Sequence, residues 1–271
     1  MKESFFINQF KNSFIGDDGA FIDKRYVIAS DSFFENIHFK RDWMSLKDIA
    51  IKASLVNLSD IIVMNAKPKY AILNIAFPNS LSLKDIKELS EGFKEVSKKY
   101  NYEIIGGDTI ENSKIDISMT FIGEVKRPIF RKAKLNEYVA FTGDLGSVNK
   151  DLQILLRGGK INKNSKFITP KLRDKFFYKA SRYITSALDI SDGLFKELER
   201  MSNISKVGFK FLKNIDKIKG CSGEEYEILF TFPKKNLSII KNLAKLTKTD
   251  ITIFAITKRG SFRSLCKENH F

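Results

Sequence analysis

The chain has 271 residues, 43% of them hydrophobic and 29% charged, which suits one large globular domain or two of ordinary size with a substantial core. No apolar run approaches the ~18 residues of a membrane span, and the opening MKESFFINQFKNSF lacks the apolar core and small-residue cleavage site of a signal peptide, so the expectation is a cytoplasmic protein with no membrane partner. A net charge of +15 raises nucleic acid as a partner, but the basic residues are spread from end to end without a basic arm or reading motif; the expectation is no nucleic acid, with the field attracting small anions instead.

In chain order, Tyr26 to Ala29 read as a strand that delivers Ser30 and Asp31. Ser45-x-x-Asp48 has the pattern of a capping box opening a helix, with Ile49, Ala53, Val56 and Asp60 at helical spacing and Pro68 marking its end. Tyr70 to Phe77 read as a strand, and Ser82-x-x-Asp85 opens a second helix with Leu89, Phe93 and Val96 on one face. Glu103 to Ile105 form a strand entering Gly106-Gly107-Asp108, and Ile115 to Val125 a long, partly alternating one. Lys126 to Asn136, with Pro128 and several basic residues, read as a linker or domain edge. Beyond it come a strand at 138–142, helices at 147–156 and 171–183, a strand at 186–190, a helix at 194–201, a strand at 227–232, a helix at 236–245 and a closing strand at 251–256. The fold class is mixed α/β, divided into residues 1–130 and 131–271.

Six acidic motifs stand mainly where these elements give way to turns: GDDGA (16–20), SDSFFENIHF (30–39), NLSD (57–60), GGDT (106–109), DISDG (189–193) and SGEEYE (222–227). Gly-Asp and Asp-Gly pairs are ordinary turn formers. Here, however, hydrophobic strands run directly into acidic positions three times, and a carboxylate at the buried end of a strand needs a cation or a donor. Oxygen ligands without a His or Cys cluster select Mg2+ over zinc or iron, and phosphate chemistry follows. No G-x-x-x-x-G-K-[ST] loop is present. Cys221 and Cys266 are the only cysteines, with no C-x-x-C spacing, and read as reduced thiols.

In this order, GDDGA, SDSFFENIHF, NLSDIIVMNAKP, IIGGDT, FRKAK, ALDISDGL and SGEEYEILFTF resemble the thiamine-monophosphate kinases, a branch of the ATP-binding superfamily that includes aminoimidazole ribonucleotide synthetase and selenophosphate synthetase. The resemblance implies transfer of the γ-phosphoryl group of ATP to thiamine monophosphate, assisted by several Mg2+ ions. It implies a homodimer whose N-terminal strands join in a shared barrel, with the active site in the cleft between an N-terminal ATP/Mg-binding domain and a C-terminal α/β domain. Residue by residue, it implies Asp18, Ser30, Asp31, Asp60, Asp108, Asp189 and Asp192 as metal ligands or near-ligands, with Asp31, Asp60, Asp108 and Asp189 central to catalysis. Gly107, Asp108, Arg131 and Ser191 would contact ATP; His38 and Glu224 would contact the thiamine phosphate.

The chain departs from the family pattern at Ala29, where a hydroxyl is common, at Asn65 in place of Gly, and at Glu225 in place of Asp, and few aromatics stand near residues 268–271 to stack on a thiamine ring. The competing readings are a related phosphoryl-transfer enzyme with another small acceptor and a basic nucleic-acid-binding protein.

Overall fold

The computed structural model describes residues 2–10 and 12–267. Residues 268–271, with the sparse aromatics noted above, lie outside that range. Alternation sets the first sheet. In β5 (Asp116–Glu124) Ile117, Met119, Phe121 and Gly123 are buried while their neighbours are half-exposed, as a strand with one face on a core requires. β5 lies between β2 (Tyr26–Phe34) and β3 (Lys67–Phe77); β1 (Ala20–Ile22) and β4 (Glu103–Glu111) flank them in the order β1-β2-β5-β3-β4. β3 and β4 run parallel, joined by helix α3 (Leu83–Tyr100), and the other pairs are antiparallel.

Helix α2 (Leu46–Val63) covers this sheet, and it is buried nearly all round, from Ile49 to Val63, rather than along one stripe. That is the pattern of a central helix. The Ser45 cap forms as expected, its Oγ accepting from the Asp48 amide at 3.1 Å. α3 carries a complete capping box at Ser82 and Asp85 and buries Leu89, Phe93 and Val96. It crosses α2 at Gly92, where a Cβ would stand 2.4 Å from the Lys47 carbonyl oxygen. Any larger residue would force the two helices apart.

The second sheet takes its strands from β6 (Glu137–Thr142), β7 (Ser186–Asp189), β8 (Val207–Phe211), β9 (Ile228–Pro233) and β10 (Ile251–Arg259), all antiparallel, in the order β7-β9-β6-β10-β8. Helices α4 (Ser147–Leu156), α5 (Asp174–Ala180), α6 (Leu194–Ser205) and α8 (Leu237–Leu246) accompany it, with a single turn α7 at Lys217–Gly220 and a short N-terminal helix α1 at Lys2–Ile7. One hydrophobic core runs from Val27 through α2 to Phe230 and Ala244, so the two sheets share an interior; a second core, including Leu188, Leu198 and Phe254, lies wholly in the C-terminal part. No described helix is long and apolar enough to cross a membrane.

Several expectations are corrected. Pro68 does not end a helix: α2 stops at Val63 and Pro68 is the second residue of β3. The chain turns between them at Asn65, whose φ of 64° is left-handed. Asn tolerates that region, and its Nδ2 also donates to the Arg127 carbonyl at 2.9 Å, so a side chain stands where the family pattern has Gly. The helix expected over 171–183 shortens to α5 and a 3-10 turn. Asp31 and Asp108 lie inside β2 and β4, not at strand ends. Residues 125–136 have no regular structure but are pinned: the Ile129 amide donates to the Met64 carbonyl, the Arg131 amide to Asp17 and the Ala133 amide to Ser205. Finally, Cys221 and Cys266 are not reduced thiols; they form a disulfide with Cα atoms 5.5 Å apart.

Candidate active site

The NLSD segment is the local key. It lies on the buried last turns of α2, and each polar residue has one job. Asn57 Oδ1 accepts the Asp31 amide at 2.8 Å while its Nδ2 donates to the Ala53 carbonyl at 3.0 Å, fixing β2 against the helix. The Ser59 hydroxyl lies near enough to Asp189, at the end of β7, to favour its ionised form. Asp60 itself joins Asp18 and Asp189, the three offering carboxylate oxygens that all lie within 4.8 Å of one another. Thus one helical turn ties the first sheet to the second through polar atoms.

The electrostatics of the trio are strained. Burial pushes the Asp60 carboxyl well above the usual carboxylate range, and Asp31, Asp189 and Asp18 push it further. Asp189 is raised in the same way, first by burial and then by Asp18 and Glu197, against the pull of Ser59 and Arg131. Arg131 compensates part of this by gripping Asp18 in a two-armed pair, Nη2 to Oδ1 at 2.5 Å and Nε to Oδ2 at 3.2 Å. Three converging carboxylates whose charge is compensated only at Asp18 are the donor chemistry of a hard divalent cation, so these residues fit Mg2+.

The other expected ligands divide. Asp31 is close enough to raise Asp60. Ser30 alternates with Asp31 and so faces away from α2; its hydroxyl lies 2.9 Å from that of Thr120 and 3.1 Å from the Met119 carbonyl. Asp192 is held by Arg200, and its amide donates to Glu197. Asp108 lies far across the sheet. Asp31 is opposite Met119, Met119 opposite Leu73 and Leu73 opposite Gly107, so three strand spacings, roughly 14 Å, separate Asp31 from the Gly107–Asp108 step. Gly107 has φ 145°, and a Cβ there would come within 1.7 Å of the Leu73 carbonyl oxygen.

Of the two residues expected to contact the acceptor, His38 occupies the turn after β2, where its Nδ1 accepts the Phe34 amide at 2.9 Å and its ring stacks on Phe33 at 5.4 Å. Glu224 has a left-handed backbone with φ 55°, and its amide donates to the Ser191 carbonyl at 2.6 Å. The DISDG and SGEEYE segments are therefore adjacent, zipped further by the Ile190 and Tyr226 amides. Glu225 accepts from the Gly146 and Val148 amides at the start of α4, so the departure from Asp at this position has a role in helix capping. Sequence reasoning missed Lys52, whose Nζ donates to Glu224 Oε2 at 2.7 Å from a wholly buried position on α2; a Lys inside a run of apolar helix residues was its available signal.

Residues 16–125 match the N-terminal domain of AIR synthase related proteins. Over 255 residues the chain is 32% identical to the thiamine-monophosphate kinase of Pyrococcus horikoshii, an alignment covering 87% of this chain and 82% of the relative. The chain belongs to the thiamine-monophosphate kinase family. The kinase of Bacillus subtilis is 29% identical over 258 residues, covering 84% of this chain and 79% of the relative. Among solved structures, the Aquifex aeolicus kinase superposes with a TM-score of 0.85 at 23% identity, over 96% of this chain and 92% of that one. AaThiL complexed with AMPPCP and TMP superposes at 0.84 with 24% identity, covering 96% and 91%. The hydrogenase maturation protein HypE, in its complex with HypF, shares the fold at 0.79 and 19% identity, covering 98% and 94%.

Proposed function

We propose that this chain transfers the γ-phosphoryl group of ATP to thiamine monophosphate, giving thiamine diphosphate and ADP. The observation that carries the reading is the NLSD turn of α2, which brings Asp31, Asp60 and Asp189 to one place beside Asp18 and Arg131. Family membership and the AMPPCP and TMP of the solved AaThiL support it.

The chemistry asks little covalent work of the protein. The acceptor phosphate oxygen is already ionised at neutral pH, so no general base is required, and rate comes from positioning and charge stabilisation. Asp18, Asp60 and Asp189, with Asp31 beside them, would hold Mg2+; Ser30, Asp108 and Asp192 complete the proposed set. Mg2+ supplies screening of the roughly six negative charges that the two phosphate groups bring together. Arg131 is assigned to the nucleotide side as a fixed positive charge, its Nε and Nη2 already engaged by Asp18, and Gly107 and Ser191 are assigned to the same side. His38 and Glu224 are assigned to the acceptor.

A homodimer belongs to this reading. β1 pairs only with residues 26–28 of β2, which leaves the edge of the Asp31 half open among the described residues, while β4 is exposed along its whole length with Ile105 and Ile110 both more than half exposed. A second copy's β4 laid along that half of β2 would bring Gly107 and Asp108 within one strand spacing, ~5 Å, of Asp31. The reading also keeps the division at residues 130 and 131, since each sheet draws its strands from one side of it, and a cytoplasmic location.

Incubating the chain with ATP, Mg2+ and thiamine monophosphate, and separating the products by chromatography, tests the reading. Thiamine diphosphate and ADP in equal amounts are expected. ATP consumption that requires a different phosphorylated acceptor would move the chain to the related phosphotransferases.

A further inference from the structure

The side chain of Lys52 is wholly buried, with no solvent exposure, and it is not part of the carboxylate trio. A buried ammonium persists only where a charge and donors' partners are supplied. Here the supply is specific. Nζ donates to Glu224 Oε2 at 2.7 Å and stands over the Phe167 ring at 4.1 Å and the Phe33 ring at 5.6 Å. Phe33 in turn carries the stacked His38 ring. Lys52 thus touches one of the two residues assigned to the acceptor and the platform of the other, from a helix that also carries Asp60.

The geometry points to Lys52 as the positioning residue of the acceptor side, which fixes Glu224 so that its second oxygen faces the ligand. This rests on the acceptor assignment proposed above and extends it to a residue with no access to ligand of its own. Glu224 is a quarter exposed and stands on a loop at a left-handed φ. Without Lys52 its side chain would lose the contact that selects one rotamer and the charge that compensates its own. The partner that fits the remaining carboxylate oxygen is a cationic or amino-bearing heteroaromatic, which is the chemistry of the thiamine rings. The eight residue steps from Lys52 to Asp60 span about 12 Å of helix axis, so one rigid element sets the reach between the acceptor's organic end and the cation-binding carboxylates.

Lys52→Met, close in volume and apolar, tests the inference in steady-state kinetics. The expected result is a KM for thiamine monophosphate at least tenfold higher, a kcat within threefold of wild type and unchanged binding of AMPPCP. In a Glu224→Gln background the same substitution should change KM by less than twofold, because Lys52 acts through Glu224. If Lys52→Met does not fold, Lys52→Gln carries the same expectations. An unchanged KM, an equal loss of AMPPCP binding, or full additivity with Glu224→Gln overturns the role of Lys52 while leaving the function standing. A wild-type chain that neither binds nor phosphorylates thiamine monophosphate overturns the function and this role together.

Discussion

Arg131 grips Asp18 with both arms of its guanidinium, from a segment that belongs to neither sheet. Of the three clustered carboxylates, Asp18 is therefore the compensated one, while burial and mutual repulsion hold the Asp60 and Asp189 carboxyls well above the usual range. An Asn at position 60 relieves that repulsion. Asp60→Asn is expected to raise the melting temperature in EDTA by a few degrees, on the order of 1 kcal/mol, while abolishing turnover and the Mg2+-dependent rise in melting temperature that wild type should show. A variant that melts lower in EDTA and still responds to Mg2+ would place the cation elsewhere.

Glu197 offers a pH test. It is buried on α6, accepts from Arg200 at 2.8 Å through Oε1, and leaves Oε2 without a hydrogen-bond partner among the described residues; burial raises its carboxyl to about 7. The folded chain thus holds a proton that the unfolded chain releases near 4.5. Its contribution to stability is complete below about pH 4.5 and is lost as pH rises towards 7, a loss of roughly 2 kcal/mol between pH 5 and pH 7.5. Glu197→Gln should flatten urea-unfolding stability across that window by about this amount relative to wild type. Parallel pH profiles for the two proteins would refute the assignment.

The Cys221–Cys266 disulfide closes a segment 45 residues apart in sequence. Chain-entropy arguments give such a closure about 4 kcal/mol. Reductant or Cys266→Ser is expected to lower stability by up to that amount, and reductant should have no further effect on the variant. Coincident unfolding curves with and without dithiothreitol would show that the bond does not form in solution.

Charge on the exposed edge strand tests the dimer. Ile105→Lys and Ile110→Lys together should yield a folded monomer in sedimentation analysis, with kcat lowered on the order of 100-fold because Asp108 no longer lies across from Asp31. Full activity in a proven monomer would separate Asp108 from the catalytic set.

Local signals were legible where one rule dominated. The Ser45 and Ser82 caps, the α3 face of Leu89, Phe93 and Val96, and the alternation of β5 follow from hydrogen-bond and burial periodicity, and the structure contains them. The grouping of Asp60 with Asp189 was legible as motif chemistry. Properties that depend on long-range packing were not. The Lys52–Glu224 pair joins residues 172 positions apart, and no periodicity encodes it. The disulfide has no spacing motif, β8 is a short edge strand whose Lys210 and Phe211 are exposed, and the separation of Asp108 from Asp31 is a matter of strand order, which sequence does not state.

The carboxylate trio takes its members from positions 18, 60 and 189, two on the N-terminal side of the 125–136 segment and one beyond it. A nascent chain would therefore expose Asp18 and Asp60 long before Asp189 has been synthesised. The trio is incomplete until β7 is made, and closing it brings like charges together at a late stage of assembly. Cation affinity, on the proposed assignment, would then report on the docking of the whole chain: a fragment ending before β7 can have its first sheet, α2 and both of the first two aspartates, and still lack the third carboxylate.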